Sequence, residues 1–293
     1  MQEPRYYYVG DAQVTRITDL RIPEIPAGYL FPEWDETVAR SGAPWLGAED
    51  IAADGATLGL SVHSWLVRSA GLTILVDTGA GNGKPRPENL VFDRLDTPYL
   101  ANLAAAGVQP EDVDLVIVTH LHVDHVGWNT VFDGERWVPA FPNATYLFSR
   151  DEYAFYGTPD NVRTPSAGVF EDSVRPVFEA GRVRWLEAGA PLPVPGLQLH
   201  PTKGHSHGHL SFSLHAGGEV GFFSGDVMHH PVQVARPDWN SVFCEFPDEA
   251  RRSRRWALEF AAEHRALFFS SHFAGSSVGT VERTGSGYRW LAC

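Results

Sequence analysis

The chain has 293 residues, 43% of them hydrophobic and 20% charged, with a net charge of −13. That length and apolar share suit a globular protein with a sizeable core and exclude a disordered one. The acidic balance argues against non-specific nucleic-acid binding.

Taken in chain order, residues 6–20 alternate enough to suggest one or two strands. Residues 21–59 are rich in Pro, Gly, Trp and Ala and read as a long excursion, with a short helix near 34–40. Phe31, Trp34 and Trp45 make it too apolar for a solvated linker, so it is expected to be a lid over the pocket or an interface arm, and a homodimer suits the second reading. Residues 58–76 read as a hairpin turning at Ser69-Ala70-Gly71, its second strand ending at Asp77. A helix over 97–107 should stop at Gly107. The run Leu115-Val116-Ile117-Val118 predicts a buried strand. It leads into His120, His122, Asp124 and His125, and packed without a metal these four groups would repel when charged and compete for hydrogen bonds when neutral. Imidazole and carboxylate together are ligands for zinc and related ions, so the cluster points to a metal site.

A strand over 144–148 and a helix over 151–156 follow, then a helix over 169–180 despite Pro176. Three further apolar runs end at His205, Asp226 and His272, with Gly or Ser at the exit; if the strands share a direction, their ends converge. The strands near 211–214 and 220–223 should join at Gly217-Gly218. In Arg251-Arg252-Ser253-Arg254-Arg255 the arginines are expected mostly on the solvent face of an amphipathic helix, because Ala250, Ser253, Ala257, Phe260, Ala261 and His264 fall at helical spacing. Cys244 and Cys293 are too few for a disulfide framework. The first residues lack the apolar core of a signal peptide and no run is long enough to span a membrane, so a cytoplasmic location is expected.

His120-x-His122-x-Asp124-His125, followed by Gly204-His205, Gly225-Asp226 and His272, resembles the metallo-β-lactamase superfamily. The resemblance runs from about Leu58 to the C-terminus and implies a single α/β domain, an αββα sandwich, with 21–59 as its lid or interface excursion. It implies two divalent metals, zinc first, with manganese, cobalt or iron also suited to the ligands. His120, His122 and His205 would hold one metal and Asp124, His125 and His272 the other. Asp226 would bridge both together with a hydroxide, and Asp77 would support the site from behind. His205 is chosen over its neighbours because it stands first in the family's Gly-His-x-x-Gly-His pattern. His209 is expected to be structural and His207 to face water.

The implied activity is hydrolysis of a small ester-like substrate. The segment 225–233 resembles the lactonase and methyl parathion hydrolase-like branch, so the expected substrate is a lactone, such as an acyl-homoserine lactone. An organophosphate or aryl ester is the alternative, ahead of a β-lactam, a thioester or a nucleic acid. Acyl-homoserine lactonases typically carry Tyr three residues after the bridging Asp; here His229 stands there. His229 is therefore the expected proton or hydrogen-bond donor beside Asp124, which binds metal and orients the nucleophile. Trp128, Phe31, Trp34 and Trp239 are the candidates for an apolar wall, with core packing the favoured reading for any one of them alone.

Overall fold

In a computed structural model the described residues are 5–37, 45–187, 192–285 and 287–293. They form two compact units, the first from residues up to 20 with 62–195, the second from 21–61 with 196–293.

The first unit is built on a seven-stranded sheet of order β1 (Tyr6–Val9), β2 (Ala12–Pro26), β3 (Thr57–Ser69), β4 (Leu72–Val76), β5 (Leu115–Ile117), β8 (Thr145–Ser149) and β9 (Val183–Leu186). A short ribbon, β6 (Thr130–Phe132) with β7 (Trp137–Pro139), lies between β5 and β8 in sequence. The expected hairpin turns at Ala70 (φ 51°) and Gly71 (φ 78°), the left-handed geometry a two-residue hairpin needs. Strands β4, β5, β8 and β9 run parallel, with Val76 opposite Ile117 and Ile117 opposite Leu147. Parallel strands end at one edge of a sheet, so Asp77 and the histidine-rich loop leave side by side.

Helix α2 (Tyr99–Ala105) stops before Gly107 (φ 74°), as the sequence implied. Helix α3 (Arg150–Tyr156) starts from Ser149, whose Oγ accepts the Glu152 N–H at 3.3 Å. The helical stretch around Pro176 is a π-helical turn, Phe170–Val174, followed by α4 (Arg175–Glu179). Pro176 is the second residue of α4, and the Arg175 N–H just before it bonds back to the Phe170 carbonyl with the longer π-type spacing.

Behind the sheet edge Lys84 is buried. Its Nζ donates to Thr130 Oγ1 (2.8 Å) and the Asp172 carbonyl (3.3 Å) and lies 3.7 Å from the Trp137 ring centre. Arg86 takes the Asp172 carboxylate in a two-pronged pair at 2.7 and 2.8 Å. Burial pushes Lys84 down from 10.5 to about 8, against the pull of Asp172. Between those pH values the unfolded chain holds the proton and the folded one does not, so the Lys84 contribution to stability rises with pH across that window and its cost is fully present below it. The urea midpoint of the parent, relative to Lys84→Met, is expected to climb from pH 8 to 10; a difference that stays flat refutes the assignment.

The second unit carries a six-stranded sheet of order β10 (Leu197–Pro201), β11 (Leu210–Ala216), β12 (Glu219–Phe223), β13 (Leu267–Phe269), β14 (Val278–Thr284) and β15 (Gly287–Ala292). Strands β11 and β12 are joined at Gly217 and Gly218, both at positive φ. Strands β12 and β13 are parallel, with Phe223 opposite Phe269, so the segments running to Asp226 and His272 leave the same edge. The excursion is more ordered than its composition suggested. Strand β2 continues to Pro26, and α1 (Ala27–Leu30) follows. Phe31 is fully buried with Leu30, Leu58, Leu60 and Val232, against Trp34, Trp239 and Phe243. Val232 opens the one-turn helix α5 (Val232–Ala235). The helix expected near 34–40 falls partly outside the described residues.

Helix α6 (Pro247–His264) buries Ala250, Ala257 and Ala261, as its spacing implied, and Leu258 with them, while Ser253 and Phe260 of the expected face are half-buried and His264 is exposed. Arg254 departs from the expected solvent face and is fully buried with them. It donates to the carbonyls of Val227 (2.9 Å) and Pro237 (2.7 Å) and to Asn240 Oδ1 (3.2 Å). Three fixed acceptors make burial of a guanidinium tolerable. Among the described residues no helix is long and apolar enough to cross a membrane.

Candidate metal centre

The expected ligands divide between the units: His120, His122, Asp124 and His125 in the first, His205, Asp226 and His272 in the second. In the first unit Asp77 has φ 58°, and its carboxylate takes the Thr119 N–H (2.8 Å), the Thr119 hydroxyl (2.8 Å) and His125 Nδ1 (2.9 Å). This strained residue is the clamp that the sequence placed behind the site. Thr119 Oγ1 lies 2.9 Å from His120 Nδ1. The imidazoles pack closely, His120 being 4.0 Å from His125 and 4.6 Å from His122 between ring centres. His120 and His125 are buried, while His122 and Asp124 are half-buried.

The loop is also zipped to the segment after Asp77. Thr78 N–H donates to the His125 carbonyl (2.8 Å), Gly127 N–H to Gly79 (2.7 Å) and Trp128 N–H to Thr78 (2.9 Å). A Cβ on Gly127 would come within 1.8 Å of the Ala80 carbonyl carbon, so only glycine permits this approach. Asp19, a buried carboxylate that sequence reasoning missed, accepts Ala80 N–H (2.7 Å), Trp128 Nε1–H (3.2 Å) and the Thr97 hydroxyl. Trp128 itself stacks on Tyr99 in the core, which removes it from the expected apolar wall.

In the second unit three imidazoles surround one carboxylate oxygen. Asp226 Oδ2 lies 3.2 Å from His205 Nε2, 3.3 Å from His229 Nε2 and 3.0 Å from His272 Nε2. Two of these groups are visibly held from behind. His272 Nδ1 is 2.9 Å from the Ser61 carbonyl, which only an N–H on Nδ1 can satisfy. His209 Nε2 accepts the Asp226 N–H at 2.8 Å, leaving its Nδ1–H for Thr202 Oγ1 (2.9 Å). The structural role expected of His209 is thus the fixing of Asp226. His207 is half-buried, its ring 6.0 Å from Phe246.

His229 is 2% exposed, and neither ring nitrogen has a hydrogen-bond partner. Its backbone N–H donates to Gln233 Oε1 at 2.7 Å, and its ring stacks on His272 and packs against Phe243. Burial, opposed by Asp226, pushes its pKa below the ordinary imidazole value. Buried polar atoms are rarely left unsatisfied, and one that is usually marks an ion, a water or a substrate group. His205, Asp226 and His229 offer donor atoms all within 4.8 Å of one another. Imidazole nitrogens converging on a carboxylate suit a divalent metal, so the residues present fit the expected group. The neighbouring His230 is structural: Val232 N–H donates to its Nδ1 (3.2 Å), its Nε2 meets the Asp50 carbonyl (2.9 Å), and burial pushes it down to about 4.

The remaining wall candidates come together, with Phe31 6.2 Å and Trp34 5.7 Å from Trp239 between ring centres. This cluster reaches His230, 6.4 Å from Phe31.

A family profile for the metallo-beta-lactamase superfamily matches residues 57–272. The N-acyl homoserine lactonase AttM of Azorhizobium caulinodans is 32% identical over 126 residues, 41% of this chain and 42% of that protein. An N-acyl homoserine lactonase of Bacillus cereus is 29% identical over 171 residues, 55% of this chain and 60% of that protein. The chain thus aligns with about half the length of these curated relatives. Among solved structures, the hydrolase AbOPH of the β-lactamase superfamily aligns with a TM-score of 0.81 and 26% identity, covering 100% of this chain and 98% of that one. AidC, described as a dizinc quorum-quenching lactonase, shares the fold with a TM-score of 0.78 at 20% identity, covering 99% of this chain and 97% of its own. The chain belongs to the metallo-β-lactamase superfamily and has that fold.

Proposed function

We propose that the protein is a dinuclear metal-dependent hydrolase that opens a small ester-like substrate, a lactone of the acyl-homoserine type first. The reading is carried by the ligand complement: all seven donors expected of the family are present, and in each unit hydrogen bonds from behind already orient several of them. His120, His122, Asp124, His125, His205, Asp226 and His272 would hold the metals, with zinc the first candidate. When bound, such a pair supplies a hydroxide near neutral pH and a Lewis acid for the electrophile.

The protein's own residues do the rest. Asp77 and Thr119 hold His125 and His120 in fixed orientation. Asp124, half-buried at the end of the loop, orients the nucleophile. His229, buried with its Nε2 3.3 Å from Asp226 Oδ2, is the proposed donor to the developing oxyanion or the leaving alkoxide. Segment 21–59 contributes Phe31 and Trp34 to an apolar cluster beside His230. Support for a lactone comes from the curated relatives, which are named for that activity. An aryl ester or phosphotriester is the second reading, since His229 departs from the lactonases' tyrosine.

The test is a hydrolysis screen of the zinc- and manganese-loaded protein on acyl-homoserine lactones, aryl esters, phosphotriesters, a cephalosporin and a glutathione thioester. Lactones are expected to show the highest kcat/KM, and loaded protein that turns over neither lactone nor ester overturns the proposal. On the best substrate His229→Ala should lower kcat ~100-fold; an unchanged kcat removes His229 from the mechanism.

A further inference from the structure

Helix α3 has no part in the mechanism above, yet two of its side chains reach the ligand loop. Glu152 is fully buried, and its Oε2 accepts the N–H of Leu121 at 3.0 Å. That N–H belongs to the residue between His120 and His122. Tyr156, 4% exposed, places its hydroxyl 3.4 Å from His122 Nε2, with its ring edge-on at 5.8 Å. Residues four apart share a helix face, so both groups are delivered together. The direction of delivery is set by the sheet: β8 runs parallel to β5, and α3 begins where β8 ends.

We propose that Glu152 and Tyr156 are positioning residues, which hold the backbone and the ring of the His120–His122 segment in the geometry its metal requires. The inference rests on the dinuclear reading above and adds the element that orients one ligand. A buried carboxylate is costly to desolvate, and the Leu121 N–H that it fixes is part of what offsets that cost. The hydroxyl of Tyr156 has a complementary effect. Thr119 and Asp77 engage Nδ1 of His120 and His125. At His122 the engaged atom is Nε2. In the proposed arrangement His122 Nε2–H donates to the phenolic oxygen, so that Nδ1 keeps its lone pair. Tyr156 would then act on His122 as outer partners do when they orient metal-bound histidines.

The experiment uses the full chain as parent, Tyr156→Phe, Glu152→Ala and Glu152→Gln. Zinc affinities are measured by competition with a chromophoric chelator, cobalt substitution is read by visible absorption, and the His122 tautomer is read by 15N NMR of the metal-free protein. Tyr156→Phe should weaken one of two zinc sites ~10–100-fold, alter the cobalt bands and erase the Nε2–H preference. Glu152→Ala should weaken the same site about tenfold, and Glu152→Gln, which keeps an acceptor oxygen, should restore it. If Glu152→Ala does not fold, Tyr156→Phe carries the test alone, since it removes one oxygen. Variants with parental zinc affinities, cobalt bands and tautomer sink this inference alone. A parent that binds no metal takes the dinuclear reading down with it.

Discussion

Asp226→Ala is expected to leave a folded protein that no longer holds two metals and whose kcat/KM on the best substrate falls at least ~1000-fold, about 4 kcal/mol of transition-state stabilisation. The carboxylate is the one anionic group among three imidazole nitrogens at 3.0–3.3 Å. Without it, neutral donors alone must hold the charge. The backbone should survive, because the Asp226 N–H stays fixed by His209, and Arg254 holds the Val227 carbonyl. Metal content by mass spectrometry, a thermal melt and steady-state kinetics on the same preparation check this. Two tightly bound metals with undiminished turnover would show that Asp226 is no ligand.

Gly204→Ala should cost far more stability than a single added methyl usually does. Gly204 has φ 126°, and a Cβ there would lie 2.0 Å from the Ala250 nitrogen, 2.5 Å from its Cα and 2.5 Å from the Glu249 carbonyl carbon. Every obstacle is backbone of α6, so no side-chain rotation relieves the clash. Gly204 is also tied at both ends, its N–H to the Ser206 carbonyl (3.0 Å) and its carbonyl to Phe246 N–H (2.8 Å). Overpacking and backbone strain together put the loss at about 4 kcal/mol, a fall in Tm on the order of 10 °C. His205 follows directly, so zinc affinity should drop as well. A melt with the parental midpoint would mean that the loop and helix separate at little cost.

Several elements were legible because their signals are local. The Ser69-Ala70-Gly71 turn, the stop at Gly107 and the junction at Gly217-Gly218 each depend on a backbone conformation that few residues adopt. The histidine loop declared itself by density. Arg254 was misread because spacing marks a helix face but does not say which buried carbonyls that face meets. Trp128 had two readings for a similar reason: an aromatic after a ligand loop suits a pocket wall or a core, and stacking on Tyr99 decided for the core. Asp19, Glu152 and Tyr156 left no trace, since their partners lie 31 to 109 residues away.

The sequence by itself determined which side chains can hold metal and which strands deliver them, because ligand chemistry and hydrophobic period are written residue by residue. Tertiary structure alone decided how those ligands are held. Which nitrogen of each histidine is engaged, that Asp77 clamps Thr119 and His125, and that His229 is buried with no hydrogen-bond partner all depend on distances between segments far apart in the chain. A hydrogen bond acts over about 3 Å, and only folding brings such groups that close.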